Sequence, residues 1–168
     1  AIDRRGLSDV ETVGASTPTG NVVPKGFDFA LPLEAPPYNV QRAKQLLAEA
    51  GYPNGFDAGD LYPWPPYTSL GETVTNYLAA IGIKTRVRTM ERAAFYTALA
   101  SKKLKGVCVC INAVYGNAAS RLSETVPAEG SYTYGAWPDI EALYAQQARE
   151  TDRNKREALL HRIQGELA

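Results

Sequence analysis

Between residues 57 and 113 the sequence alternates strand patterns with helix patterns, and this alternation restricts the possible folds more than any other feature. Segment 83–89 (IKTRVRT) alternates apolar and polar residues, which is typical of a half-exposed strand. Segment 107–113 (VCVCINA) is almost continuously apolar, which indicates a buried central strand. A further strand is predicted over residues 57–62, and helices over 68–81 and 91–104, the latter with Ala94, Phe95, Ala98 and Leu99 facing inward. Right-handed crossovers then favour a mostly parallel sheet flanked by helices, so we expect an α/β fold with a βαβαβ core.

Helix patterns also flank this core on both sides. Asn39 is a good N-cap for a helix over residues 39–50, and Gly51 can adopt the left-handed conformation that ends it. Further helices are predicted over residues 2–13, 138–150 and 152–167. The proline-rich segment 14–37 predicts an irregular, mostly extended loop rather than a linker, because a helix follows it at once. We therefore expect residues 1–168 to form a single domain.

The charge balance excludes several classes of partner. The 168 residues include 18 basic and 18 acidic side chains, so the formal net charge is zero. A nucleic-acid-binding module would show a basic surplus, and so would a protein that docks on anionic lipid. No apolar run approaches the roughly 20 residues that span a bilayer. The chain opens AIDRRGLSDV, without the pattern of a signal peptide, so we expect either a cytosolic protein or a mature or excised piece.

Catalytic and metal-binding patterns are absent from the sequence. No phosphate-binding, dinucleotide-binding, nucleophile-elbow or zinc-protease motif is present, and the single histidine, His161, lies in a late helix pattern. We therefore predict no catalytic residues, no metal and no cofactor. Cys108 and Cys110 lie two residues apart on a predicted strand, with Cα atoms about 6.5–7 Å apart, so we expect free, buried thiols. A cysteine-dependent enzyme remains an alternative.

Loops at the carboxyl ends of parallel strands are where such folds bind ligands. The first such loop, residues 63–68, lies in the sequence YPWPPYT, in which prolines fix the backbone around Tyr62, Trp64 and Tyr67. Rigid aromatic rings at a strand end suit recognition of a flexible organic ligand, although rings can also serve only to cover the edge of a core. We predict these three aromatic residues as ligand contacts.

Two further segments supply candidate contacts. Loop 112–122 follows the third strand and combines amides, an aromatic ring and a cation that could pair with a ligand carboxylate or with an acidic neighbour. A Gly/Ser/Thr-rich loop before the late helices carries a second aromatic cluster that includes Tyr132. The predicted contacts in these segments are Asn112, Tyr115, Asn117, Arg121, Tyr134 and Trp137. A protein-interaction domain that grips its partner through the aromatic loops is a second alternative.

Three passages resemble the family 5 extracellular solute-binding proteins, the peptide- and nickel-type receptors of ABC importers. They are residues 44–57 (KQLLAEAGYPNGFD), 77–99 (YLAAIGIKTRVRTMERAAFYTAL) and 139–164 (DIEALYAQQARETDRNKREALLHRIQ). The opening AIDRRGL is also similar to a passage of the family, so the resemblance extends over nearly the whole chain in the right order. It implies a periplasmic-binding-protein-like type II lobe, excised from a longer two-lobed receptor.

The resemblance also implies a function and its partners. Members of the family bind a peptide or similar solute between two lobes, without catalysis, and deliver it to a membrane permease. The implied partners are therefore the solute, the missing second lobe and the permease subunits, with contact to the membrane only through the permease and none with nucleic acid. The implied location is periplasmic or extracellular.

One departure from the family leaves the solute open. Peptide-binding members often carry Asp-Tyr-x-(Asp/Glu)-Pro after the third strand, and the aspartate captures the amino terminus of the ligand. Tyr115 matches this pattern, but Val114 stands in place of the aspartate and Asn117 in place of the second acid. A site without these carboxylates suits a neutral or anionic solute better than an ammonium group.

Overall fold

The computed structural model describes residues 1–112, 116–135 and 137–168. The helices are α1 (Arg4–Glu11), α2 (Val40–Glu49), α3 (Thr68–Ala80), α4 (Arg92–Ala100), α5 (Ala118–Leu122), α6 (Pro138–Arg149) and α7 (Arg153–Glu166), and the strands are β1 (Phe56–Pro63), β2 (Ile83–Val87) and β3 (Val107–Val109). Contacts between Cα atoms group the chain into two compact units, of which the first comprises Ala1–Pro18 and Pro36–Ile111 and the second Thr19–Ala35 and Asn112–Ala168. The single-domain organisation stays a prediction.

A three-stranded parallel sheet in the order β2-β1-β3 forms the centre of the first unit. The predicted βαβαβ core with a parallel sheet is therefore confirmed. The position of the third strand was predicted wrongly: β1 is central, while β3 pairs only with β1 in the described part of the chain. Leu61 of β1 is fully buried, whereas Cys108 of β3 is exposed. An apolar run does not reveal strand order, because the crossovers decide which strand lies in the middle.

Helix α3 covers one face of this sheet by packing on β1 and β2. Gly71 makes the close approach possible, because a Cβ atom there would lie 2.7 Å from Cβ of Pro63. On the same face, the Thr85 hydroxyl of β2 donates to Thr75 Oγ1 over 3.1 Å. Strand β2 is half-exposed, as predicted, because its alternate residues Lys84 and Arg86 face solvent.

Helix α2 begins and ends where the local sequence predicts. Oδ1 of Asn39 accepts the backbone N–H of Arg42 at 2.8 Å, which caps the first turn. At the other end Gly51 has a φ of 89°, its N–H donates to the Ala48 carbonyl, and the next N–H donates to the Leu47 carbonyl. This pair of bonds is a Schellman motif, which satisfies carbonyls that the helix leaves free.

The expectation of free, buried thiols is wrong. Cys108 and Cys110 form a disulfide, with Cα atoms 5.7 Å apart, and the Cys108 side chain is exposed. The expected separation assumed a strand through both residues, but β3 ends at Val109. The observed Cα–Cα distance of 5.7 Å lies in the range that a disulfide can bridge.

The second unit has its own hydrophobic core, built between its helices and the segment Thr19–Ala35. The fully buried members Ala118, Leu122, Leu160 and Ile163 come from helices α5 and α7. The segment 19–35 contributes the buried side chains of Val23 and Phe29 to this core. The predicted irregular loop is thus irregular in backbone but integral to the packing. Helix α5 itself was predicted as part of a loop.

The described residues contain neither a membrane-spanning helix nor a cluster of metal-ligating side chains. None of their helices has both the length and the apolar character needed to cross a membrane. No group of three or more His, Cys, Asp or Glu side chains within ranges 1–112, 116–135 and 137–168 is arranged to hold a metal ion.

Candidate functional site

The loop after β1 continues the sheet before it turns. The backbone N–H of Trp64 donates to the Val109 carbonyl over 2.8 Å, which extends the pairing of β1 with β3 by one residue. The N–H of Tyr67 then donates to the Trp64 carbonyl over 2.7 Å, closing a turn, and α3 starts at Thr68. Trp64 is therefore held at the carboxyl end of the central strand, which is where parallel α/β sheets bind ligands.

Four side chains of the first unit form one cluster around the Trp64 indole. The Tyr67 ring stacks on it at 5.5 Å between centroids, with 28° between the planes. The indole Nε1–H donates to the Tyr96 hydroxyl over 2.8 Å, and the Arg92 guanidinium carbon lies 5.1 Å from the indole centroid. We call Trp64, Tyr67, Arg92 and Tyr96 the Trp64 cluster.

Helix α4 supplies the two members of the cluster that the sequence analysis missed. Arg92 and Tyr96 lie four residues apart, so they share one side of the helix. Phe95 and Leu99 are buried, as predicted. Ala94 was predicted to face inward but is exposed. The inward side of α4 was predicted from its apolar residues alone. The spacing of Arg92 and Tyr96, four residues apart on the outward side, was the signal that could have identified them.

The start of helix α4 fixes the position of Arg92. The Glu91 carboxylate accepts the backbone N–H groups of Ala93 and Ala94 at 2.8 and 3.2 Å. These two bonds, led by that of Ala93, lower the pKa of Glu91 below its ordinary value. Glu91 therefore caps the helix, and Arg92 follows as its first residue.

Tyr62 takes part in a different set of contacts, although it precedes the loop directly. Its hydroxyl donates to Oδ2 of Asp60 over 3.3 Å. Asp60 also pairs with Arg86 and Arg88, each at 3.3 Å. Burial raises the pKa of Tyr62, and the negative charge of Asp60 raises it further. The structure thus places Tyr62 in a charged network between β1 and β2.

In the second unit, Asn117 and Arg121 have structural contacts. Oδ1 of Asn117 accepts the backbone N–H of Ala119 at 2.8 Å and caps helix α5. Nε of Arg121 donates to the Val22 carbonyl over 3.0 Å, and burial lowers the pKa of its guanidinium. Asn117 thus caps α5, and Arg121 connects α5 to segment 19–35; sequence spacing revealed neither contact.

The remaining predicted contacts also belong to the second unit. Asn112 is half-buried. Tyr134 and Trp137 are exposed, with Trp137 at 55%. Tyr115, like the departure at Val114, lies outside the described residues.

A cavity of about 520 Å³ lies in the second unit, between helices α5, α6 and α7. On its wall the Tyr144 hydroxyl donates to the Ala119 carbonyl over 3.1 Å. Nε of Arg156 donates to the buried Gln147 carboxamide at the same distance. Burial raises the pKa of Tyr144. Sequence spacing does not indicate this cavity, because residues from three helices line it.

Comparison with known proteins gives a family match and several relatives. The family model described as bacterial extracellular solute-binding proteins, family 5 Middle, matches residues 1–133. The glutathione-binding protein GsiB of Salmonella choleraesuis (strain SC-B67) is 36% identical over 96 residues, which cover 54% of this chain and 18% of that protein.

Solved structures show the same arrangement of elements. HbpA2 from Haemophilus parasuis is 26% identical, with a TM-score of 0.80 over 96% of this chain and 34% of that one. A dipeptide-binding protein from Pseudoalteromonas sp. SM9913, in complex with Met-Leu, is 21% identical, with a TM-score of 0.83 over 99% of this chain and 35% of that one. The chain therefore spans about a third of the length of the solved structures that it matches.

Proposed function

This chain belongs to family 5 of the bacterial extracellular solute-binding proteins, and on that premise we propose that it is a solute-binding lobe of an ABC importer receptor. The lobe binds a peptide or similar small organic solute, and the receptor delivers that solute to a permease. One observation carries the proposal beyond the family: the Trp64 cluster presents stacked, half-exposed rings at the carboxyl end of the central strand.

The fold agrees with this role. The predicted α/β architecture of a periplasmic-binding-protein-like lobe is confirmed by the parallel sheet and by the likeness to solved binding proteins. The names of two relatives support a peptide as the solute, since one is called glutathione-binding and the other was solved with the dipeptide Met-Leu. Glutathione is itself a small peptide, so both names refer to the same class of solute.

We propose the following partners and location. The solute lies between this lobe and a second lobe of the same protein, and the closed receptor docks on the permease subunits at the outer side of the membrane. The location is periplasmic or extracellular. The lobe performs no catalysis and needs no cofactor, because recognition and delivery require only reversible binding.

Within the lobe we propose that Trp64 and Tyr67 are the principal aromatic contacts with the solute. Tyr62, Asn112, Tyr115, Asn117, Arg121, Tyr134 and Trp137 remain predicted contacts. Of these, Asn117 caps α5 and Arg121 donates to the Val22 carbonyl, so a solute would share these two side chains with existing contacts.

The test uses the full-length receptor that carries this lobe. We expect mass spectrometry of the purified receptor to detect a bound peptide or similar solute, and Trp64→Ala to abolish its retention. Tyr52→Ala is the matched control, because Tyr52 is an exposed aromatic residue of the same unit that packs on Phe56. Retention by the Trp64 variant equal to that of the Tyr52 variant would reject the proposed site. Loss of a bound protein with unchanged solute would favour the interaction-domain alternative.

A further inference from the structure

We propose that the Trp64 cluster binds a carboxylate of the solute through the Arg92 guanidinium, so that the lobe prefers a solute with free carboxylates to the same solute with those carboxylates esterified. We build here on the solute-binding function proposed above and add the chemical class of the solute. The cluster combines a cation, two exposed tyrosine rings and an indole at one strand end.

Arg92 differs from the other arginines of its sheet region in having no carboxylate within ion-pair distance among the described residues. Arg86 pairs with Asp57 at 2.9 Å, and Arg88 pairs with Asp60 at 3.3 Å. The nearest acid in sequence, Glu91, accepts two backbone N–H groups at the start of α4 instead. The positive charge of Arg92 is therefore not neutralised by a carboxylate of the described protein.

The position of Arg92 over the indole leaves its donors usable. Attraction between a cation and an aromatic face acts perpendicular to the ring and holds the guanidinium carbon 5.1 Å from the Trp64 centroid. The five N–H groups of a guanidinium point outward in its own plane and match the two oxygens of a carboxylate. A carboxylate can thus bind Arg92 without displacing it from the ring.

The surrounding contacts hold the Trp64 indole in position. The bond from Trp64 Nε1 to the Tyr96 hydroxyl fixes the rotation of the indole, and the Tyr67 ring stacks on it. Tyr67 and Tyr96 are each 42% exposed, so their rings add accessible apolar surface beside the Trp64 indole. The Trp64 cluster can thus pair with a carboxylate and cover the adjoining carbon chain of a small organic solute.

The proposed cationic contact is therefore a different arginine from the one that the sequence predicted. Arg121 was the predicted partner for a ligand carboxylate, but its Nε donates to the Val22 carbonyl. Arg92 takes that role at the end of the sheet.

The test follows the indole N–H signal of Trp64 in the ¹⁵N-labelled chain by NMR. Trp64→Phe assigns the signal by removing it. The probes are glutathione and glutathione diethyl ester, at millimolar concentrations suited to weak binding. We expect glutathione to shift the Trp64 signal, and the ester to bind at least roughly tenfold more weakly, because hydrogen bonds to charged groups are the stronger class.

Variants separate the guanidinium from net charge. Arg92→Gln should weaken glutathione binding by roughly tenfold or more, and Arg92→Lys should recover only part of it. Arg5→Gln removes the same charge from an exposed position of α1 and should bind like the original chain. Circular dichroism verifies that each variant is folded.

Several results would overturn the assignment: equal binding of acid and ester, unchanged binding by Arg92→Gln, or no shift of the Trp64 signal with glutathione. The full-length receptor distinguishes this failure from failure of the proposed function. A receptor that retains a neutral solute keeps its function and loses the carboxylate assignment, whereas a receptor that retains no solute loses the function itself.

Discussion

The Asn21 carboxamide donates to Oε1 of Gln164 over 2.7 Å, although 143 positions separate the two residues in the sequence. The same oxygen accepts the backbone N–H of Leu31 at 2.8 Å, and Nε2 of Gln164 donates to the carbonyls of Phe29 and Leu160, each at 2.9 Å. Gln164 is fully buried, so this one side chain satisfies polar groups of segment 19–35 that burial would otherwise leave unpaired.

Gln164→Leu should therefore destabilise the second unit strongly. The substitution keeps the size of the side chain but leaves the Leu31 N–H without an acceptor and removes one of the two acceptors of the Asn21 amide, at a cost of about 3 kcal/mol in the free energy of unfolding. Urea unfolding measures the change. Gln146→Leu on the exposed side of α6 is the control and should alter stability little. Equal midpoints for the two variants would show that the network contributes nothing.

Two glycine-to-alanine substitutions should have opposite effects. At Gly71 the new Cβ would lie 2.7 Å from Cβ of Pro63, so we expect a loss of roughly 1–3 kcal/mol despite the better helix propensity of alanine. At the exposed Gly165 the nearest atom, Cδ2 of Leu31, is 4.0 Å away, so alanine should stabilise α7 by about 0.5 kcal/mol. Thermal unfolding of both variants measures the difference. A gain in stability at Gly71 would contradict the close packing of α3 on β1.

The ion pair between Asp28 and Arg153 should make stability depend on pH. Nη2 of Arg153 lies 2.6 Å from Oδ1 of Asp28, and this hydrogen bond lowers the pKa of Asp28 below its ordinary value of 3.8. A lowered folded-state pKa means that the pair stabilises the fold above the ordinary pKa, and that this contribution is lost as pH falls through the folded-state pKa.

Asp28→Asn should therefore lower the melting temperature slightly near about pH 6, where the carboxylate is charged, and should have no effect at pH values below the folded-state pKa of Asp28. Arg153→Gln should act in the same way, although it also removes the guanidinium that lies 4.4 Å from the Phe29 ring centroid. The double variant should melt close to Arg153→Gln near neutral pH, because the pair is already broken. Additive losses in the double variant would mean that the two side chains act independently.

The disulfide between Cys108 and Cys110 should leave no thiol for alkylation in the described chain as folded. We expect mass spectrometry to show no carbamidomethyl groups after iodoacetamide treatment without reductant, and two after reduction. The reduced sample serves as the control for accessibility. Labelling of the unreduced chain would restore the free thiols that the sequence suggested, and fast labelling would revive the cysteine-enzyme alternative.

Local rules in the sequence predicted the elements well. Asn39 and Gly51 mark the two ends of α2 as expected, because a cap depends on residues only a few positions away. Alternation over residues 83–89 predicted the half-exposed strand β2, since the period of two reports which side chains face solvent. The aromatic loop after β1 was predicted as a candidate site from its proline-fixed rings, two of which belong to the Trp64 cluster.

The sequence by itself thus determined where the helices and strands other than α5 form, and its ordered motifs indicated the family. Tertiary structure alone decided that β1 is the central strand, that Arg92 lies against the Trp64 ring, and that Asn21 meets Gln164. The physical reason is the separation along the sequence over which each kind of interaction acts. Capping and periodicity act within a few residues along the chain, whereas strand order, ring stacking and buried amide contacts join residues whose separation in sequence carries no local signal.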